Sequence, residues 1–132
     1  MSASDDLRTL ETTAGAAERN TLALRLAEEK TPGLGAVLVR LIQRPDLADK
    51  RGALVHALGY LDCSDHVGLL VELVLTADFE VAHEALQALE TVEEADGEDI
   101  EQAFDRFQAV HAQPDLPAWR KELLEDLAEM FD

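Results

Sequence analysis

The chain has 132 residues, 47% of them apolar, only four Pro and seven Gly, and a formal net charge of −17. That length fits one domain whose core needs no disulfide or metal, and the small share of β-branched and aromatic residues argues against an all-β fold. The charge argues against nucleic acid and anionic membrane surfaces as partners, because a polyanion is repelled by both.

The charge is also uneven. Residues 1–66 hold ten acids and eight Lys or Arg, a net of −2, and residues 67–132 hold eighteen acids and three, a net of −15. Such a field attracts a basic protein and speeds its encounter. The single cysteine, Cys63, cannot form an internal disulfide, which suits a reducing compartment. No run approaches the roughly 18 apolar residues of a membrane span. Residues 1–11 place Asp5 and Asp6 where a secretory leader would be basic. The expected location is the cytoplasm.

Residues 1–16 carry one weak apolar spacing, Leu7 and Leu10, and read as a tail or a frayed helix; a single helical domain is expected over 17–132. Leu22, Ala23 and Leu26 share one helix face, which ends before Thr31-Pro32-Gly33. Leu34, Val37, Leu38, Leu41 and Ile42 follow at helical spacing until Arg44-Pro45-Asp46. Ala53, Leu54, Ala57, Leu58 and Leu61 form the next stripe, and Asp62-Cys63-Ser64 breaks it, with Asp62 or Ser64 as a cap. Two more stripes follow: Val67, Leu70, Val71 and Val74, then Val81, Ala85, Leu86, Leu89 and Val92. An acidic turn leads to Ile100, Ala103, Phe104, Phe107 and Val110. Pro117 suits a helix start, and Trp119, Leu123, Leu124, Leu127, Met130 and Phe131 complete a terminal helix. The period is 3.6 throughout.

The pattern repeats. VLVRLIQRPDL at 37–47 lies over LLVELVLTADF at 69–79, so Leu38, Val39, Leu41 and Asp46 match Leu70, Val71, Leu73 and Asp78 at an offset of 32. Beyond the turn the offset becomes 31, and Ala57-Leu58 falls on Ala88-Leu89. A helix, an Asp-bearing turn and a second helix recurring at this interval mark a solenoid, in which each hairpin buries its stripe on the next.

The unit resembles the short HEAT-like repeat, the form also found in phycobilin-lyase-type proteins. Asp46, Arg51, Leu54 and Ala57-Leu58-Gly59 follow that pattern, and Asp78, Val81, Ala85 and Ala88-Leu89 follow it again. The clear likeness covers residues 34–92. Lys50 replaces a usual Val, Ala82 a usual Arg and Glu90 a usual Gly, so the contact this Arg makes with the turn Asp is not expected in the second copy. The resemblance implies an all-α fold: a short HEAT-like α-solenoid of about three antiparallel helix pairs plus a C-terminal capping helix. The rival architecture is a single non-repeating helical bundle.

Catalytic, cofactor and metal sites are not expected. His56, His66, His83 and His111 show no metal-ligand spacing, and His56 and His83 sit beside apolar residues in repeat helices. The run Glu94 to Ile100 has the composition of a calcium loop, but counting from Gly97 puts Val92 and Ala103 where acids are required. Cys63 lies three residues before His66 in a turn ahead of a helix, where a thiol pKa can fall. It is the one conceivable nucleophile, and it lacks an orienting group.

In stacked hairpins the helices over 34–44, 64–76 and 98–112 would line a concave surface. Their expected outward residues are Arg40 and Arg44, then Asp65 and Glu72, then Glu98, Glu101, Gln102 and Asp105. The trough would run from basic to acidic, and its acidic end would receive Lys and Arg side chains. Trp119 caps the core or anchors an interface, and the amphipathic last helix is also fit to pair with a second copy. The expected function is protein binding without catalysis, with a basic protein as partner. A specific form is an immunity or inhibitor protein that neutralises a basic toxin. Alternatives are a scaffold or adaptor that binds a peptide and, further off, an accessory to a lyase-type enzyme.

Overall fold

A computed structural model of the chain describes residues 3–47 and 50–131. Among these there is no strand, and eight α-helices carry the fold. They belong to two compact units, Met1–Leu61 and Asp62–Asp132.

The first unit contains α1 (Ala3–Thr12), α2 (Ala16–Glu28), α3 (Leu34–Ile42) and α4 (Gly52–Leu58). Of the segment expected to be a tail or a frayed helix, Ala3–Thr12 form a helix, and Leu10 on it is fully buried. Helix α1 packs on α3, and α2 packs on α4, so the hairpin α1–α2 lies alongside the hairpin α3–α4. Leu26, Leu34, Leu38, Leu41, Leu54 and Leu58 fill the space between them. Truncating one such leucine costs about 2–5 kcal/mol through lost transfer energy and the cavity left behind.

The loops of this unit are set by backbone geometry. Helix α2 ends with Lys30 in the left-handed region, φ 54°, where the Lys30 and Thr31 N–H groups donate to the Ala27 and Leu26 carbonyls. That pair of bonds closes a helix with a Schellman turn. Gly33, φ 84°, turns the chain into α3. After α3, Pro45–Leu47 form a 3-10 turn. Arg19 on α2 is only 3% exposed and donates Nη2 to the Thr13 and Ala14 carbonyls, which ties down the α1–α2 loop.

The second unit contains a 3-10 turn at Ser64–His66, then α5 (Val67–Thr76), α6 (Phe79–Glu90), α7 (Gly97–His111) and α8 (Ala118–Met130). Its packing follows the same plan: α5 pairs with α6, α7 lies on α5, and α8 lies on α6. Asp62 Oδ1 accepts from both the N–H and the hydroxyl of Ser64 and so orders the first turn. Asp78 caps α6 by accepting from Val81 N–H at 3.0 Å, and Asp96 caps α7 by accepting from Glu98 N–H at 2.9 Å. Pro117 precedes α8 at its N-cap.

Most of the expected core is buried: Val67, Leu70, Val71 and Val74 on α5, and Val81, Ala85, Leu86 and Leu89 on α6. The last two helices depart from the expectation. On α7 only Ala103, Phe107 and Val110 are buried, while Ile100 and Phe104 are each 37% exposed. On α8 Leu123, Leu124 and Leu127 fill the core and Met130 is 38% exposed, while Trp119 stands at the core's edge. It is half-buried beside the exposed Phe79, ring centroids 5.3 Å apart, with the Arg120 guanidinium 4.4 Å above its own ring.

The units divide the charge completely. Residues 1–61 carry eight acids and eight Lys or Arg, a net of zero, and residues 62–132 carry twenty acids and three, a net of −17.

Candidate protein-binding surface

Arg40 and Arg44, the expected basic end of the surface, are exposed on and just after α3, and neither presents a bare charge. Arg40 Nη2 lies 2.6 Å from Glu11 Oε1 on α1. Arg44 forks onto Asp46, with Nη2–Oδ2 2.7 Å and Nε–Oδ1 3.1 Å, and a third bond runs to the Glu11 carbonyl. The Arg44 hydrogen bond, followed by its charge and that of Arg19, holds the Asp46 carboxyl below its usual range.

In the second unit, Asp65 is exposed on the 3-10 turn before α5. Glu72, at the place equivalent to Arg40, is likewise taken by its neighbour helix: Arg106 of α7 donates Nε and Nη2 to its two carboxylate oxygens at 3.0 and 2.6 Å. The aligned positions thus carry opposite signs, and each charge is matched within its own unit, α3 by α1 and α5 by α7. The Arg106 pKa is raised, first by this hydrogen bond and then by the attraction of Glu72.

Helix α7 presents the remaining expected residues. Glu98, Glu101 and Asp105 are exposed, and at 3.6 residues per turn they fall within roughly 60° of arc, opposite the buried Ala103–Phe107–Val110 stripe. Gln102 is exposed on the flank facing α5, where Gly68, Glu72 and Arg106 complete a shallow groove. Among the three cations of the unit, Arg106 is engaged with Glu72, and Arg120 donates to the Val74 and Ala77 carbonyls. Little positive charge is left to offset the acids of this face.

An apolar cleft of about 390 Å³ opens in the same unit. Its floor is Val67 and Val71 of α5, Leu89 of α6 and Leu127 of α8. At its mouth stand Ile100 of α7, 37% exposed, and Met130 of α8, 38% exposed. Phe131 closes one side and packs on Phe104 and Phe107, ring centroids 5.1 and 5.6 Å away. Glu90 and Glu93, both exposed, stand on the rim. The volume lies within the roughly 300–1,000 Å³ usual for binding pockets. Sequence reading missed the cleft, because its walls come from all four helices and the α6–α7 loop. The available signal was an apolar pair, Met130-Phe131, continuing the stripe of α8 to its very end.

Cys63 stands at the head of the 3-10 turn Ser64–His66. The thiol is buried, and burial first, then the nearby Asp62 charge, push its pKa up, against a smaller opposing effect of the hydrogen bond with Thr91. A thiol so placed stays protonated and is a poor nucleophile. His56 and His83 are half-buried, His56 edge-on to Tyr60 and His83 Nδ1 2.7 Å from the Phe79 carbonyl oxygen. Among the described residues no three His, Cys, Asp or Glu side chains gather as metal ligands, and no helix is long and apolar enough to cross a membrane.

Compared with models of protein families, with curated proteins and with solved structures, the chain matches none.

Proposed function

We propose that the chain is a HEAT-like helical-repeat protein that acts by binding a basic protein, not by catalysis. The repeat reading is supported by the packing inside each unit, where first helix lies on first helix and second on second. A bundle wrapped about one centre has no reason to keep that order. The function rests on one observation: the net charge of −17 belongs entirely to Asp62–Asp132, whose α7 turns Glu98, Glu101 and Asp105 to solvent on one face. A field confined to one unit destabilises that unit by self-repulsion and is useful where it meets positive charge. In its specific form the partner is a basic toxin, and the chain is its inhibitor. The adaptor reading, in which a peptide segment is held, draws on the apolar cleft of the same unit.

The experiment is capture on the immobilised full chain at low salt, then measurement of each retained partner's affinity as salt rises. A basic partner whose affinity falls steeply with salt, and falls further for the triple variant Glu98→Gln, Glu101→Gln, Asp105→Asn, is the expected result. A specific partner bound equally well at all salt concentrations and by the triple variant would overturn the proposal.

A further inference from the structure

The cleft of the second unit combines two features that separately would mean little. It is apolar along its floor, yet Ile100, Phe104 and Met130 remain exposed at or beside its mouth, where burying them would have been favourable. Its rim is acidic, with Glu90 and Glu93, and the α6–α7 loop that closes it also carries Glu94 and Asp96. A second copy of this chain is a poor occupant, since it would bring another unit of net −17 against the first. An anionic lipid or fatty acid meets the same repulsion. The complementary ligand is apolar on one side and cationic on its flanks.

We propose that this cleft is the docking site for an amphipathic, Lys- or Arg-rich helical segment of the partner protein. One or two apolar side chains of the segment, spaced i and i+4, would seat between Ile100 and Met130 over Val71 and Leu127. Its flanking cations would reach Glu90 and Glu93. The inference rests on the function proposed above and deepens it: the α7 acids attract the partner, and the cleft gives the complex its lifetime.

The test uses the full chain and three labelled peptides of about 15 residues, long enough to form a helix when bound. The first is helical Leu and Lys with the Leu on one face. The second replaces each Lys by Glu, and the third keeps the Lys and replaces each Leu by Ser. The first should bind, the third at least tenfold more weakly, and the second not measurably. Ile100→Lys and Met130→Lys change exposed positions and leave the buried floor intact. Each should weaken the first peptide at least tenfold, with helicity and melting temperature checked alongside. Glu90→Gln with Glu93→Gln should weaken it severalfold and flatten its salt dependence.

Equal binding of the first and third peptides, or no effect of the Lys variants, would overturn the cleft and leave the charge-based function standing. Failure of both cationic peptides, with the Glu peptide bound instead, would overturn both. Self-association of the chain that Met130→Lys abolishes would make a second copy the occupant and overturn the proposal.

Discussion

Arg120 of α8 holds the carbonyl of Val74, the counterpart, thirty-two residues on, of the Ile42 carbonyl that Arg51 holds. Arg51 has Ala82 as its counterpart thirty-one residues on. The end of α5 leaves carbonyls without helical partners, as every helix end does, and a cation there is favoured by the helix dipole. In the second unit that cation comes from a different helix. Arg120 Nη1 donates to Val74 at 2.8 Å and Nη2 to Ala77 at 2.7 Å, beside the turn acid Asp78. Burial lowers the Arg120 pKa and the charge of Asp78 opposes that shift.

Arg120→Ala should therefore destabilise the second unit by about 2 kcal/mol, since hydrogen bonds from a charged donor are worth about 1.5–3 kcal/mol and part of the loss is recovered by water. Arg51→Ala removes the corresponding cation of the first unit, whose bond to the Ile42 carbonyl is 3.4 Å long. Arg120→Lys retains the charge but not the two-pronged geometry and should fall between wild type and Arg120→Ala. Urea denaturation of the three variants measures this, and Arg120→Lys as stable as wild type would show that the fork is not needed.

The way the sequence reads follows from the same contrast. The limits of α3 were legible because each is a local matter: Gly33 and Pro45 break the chain where they stand. The apolar stripes of α5 and α6 predicted their buried faces for the same reason. What one helix borrows from another was not legible. Glu72 reads as a bare acid until Arg106, thirty-four residues later, is seen to take it, and Arg40 reads as a bare cation until Glu11 is. The cleft gathers residues from Val67 to Phe131, and no spacing rule links them.

Two glycines at helix starts should respond oppositely to alanine. Gly33 has φ 84°, and a Cβ there would lie 3.3 Å from Leu7 Cδ1, so Gly33→Ala should cost about 1–2 kcal/mol. Gly97 opens α7 with negative φ, and a Cβ there meets nothing within 4 Å. Gly97→Ala should stabilise by about 0.4–1 kcal/mol through the unfolded chain's lost freedom. Thermal melts of both variants decide, and a stabilised Gly33→Ala would contradict the turn geometry.

Cys63 gives a pH dependence whose sign is fixed. Its folded-state pKa is raised above the ordinary 9.0 by burial, so the folded state favours the protonated thiol. Its contribution to stability is fully present below pH 9 and is lost as pH rises through the folded value. Wild type should lose more stability than Cys63→Ala between neutral pH and pH above that limit. At slightly alkaline pH, iodoacetamide should label the folded chain at least tenfold more slowly than the denatured chain. Equal labelling rates would mean that the thiol is accessible after all.

The charge of the second unit should be visible in its melting even without a partner. The Arg106–Glu72 pair is exposed, and such a pair contributes little by itself. Arg106 nevertheless supplies one of only three cations among twenty acids, on the helix that carries Glu98, Glu101 and Asp105. At low ionic strength the repulsion among these acids reaches across the unit, and near 1 M salt it is screened within about 3 Å. Salt should therefore raise the melting temperature of wild type. Arg106→Glu should lower it more than Arg106→Ala at low salt, and the gap between the two variants should close as salt is added. A gap unchanged by salt would mean that Arg106 acts through packing of its stem on α5 rather than through its charge.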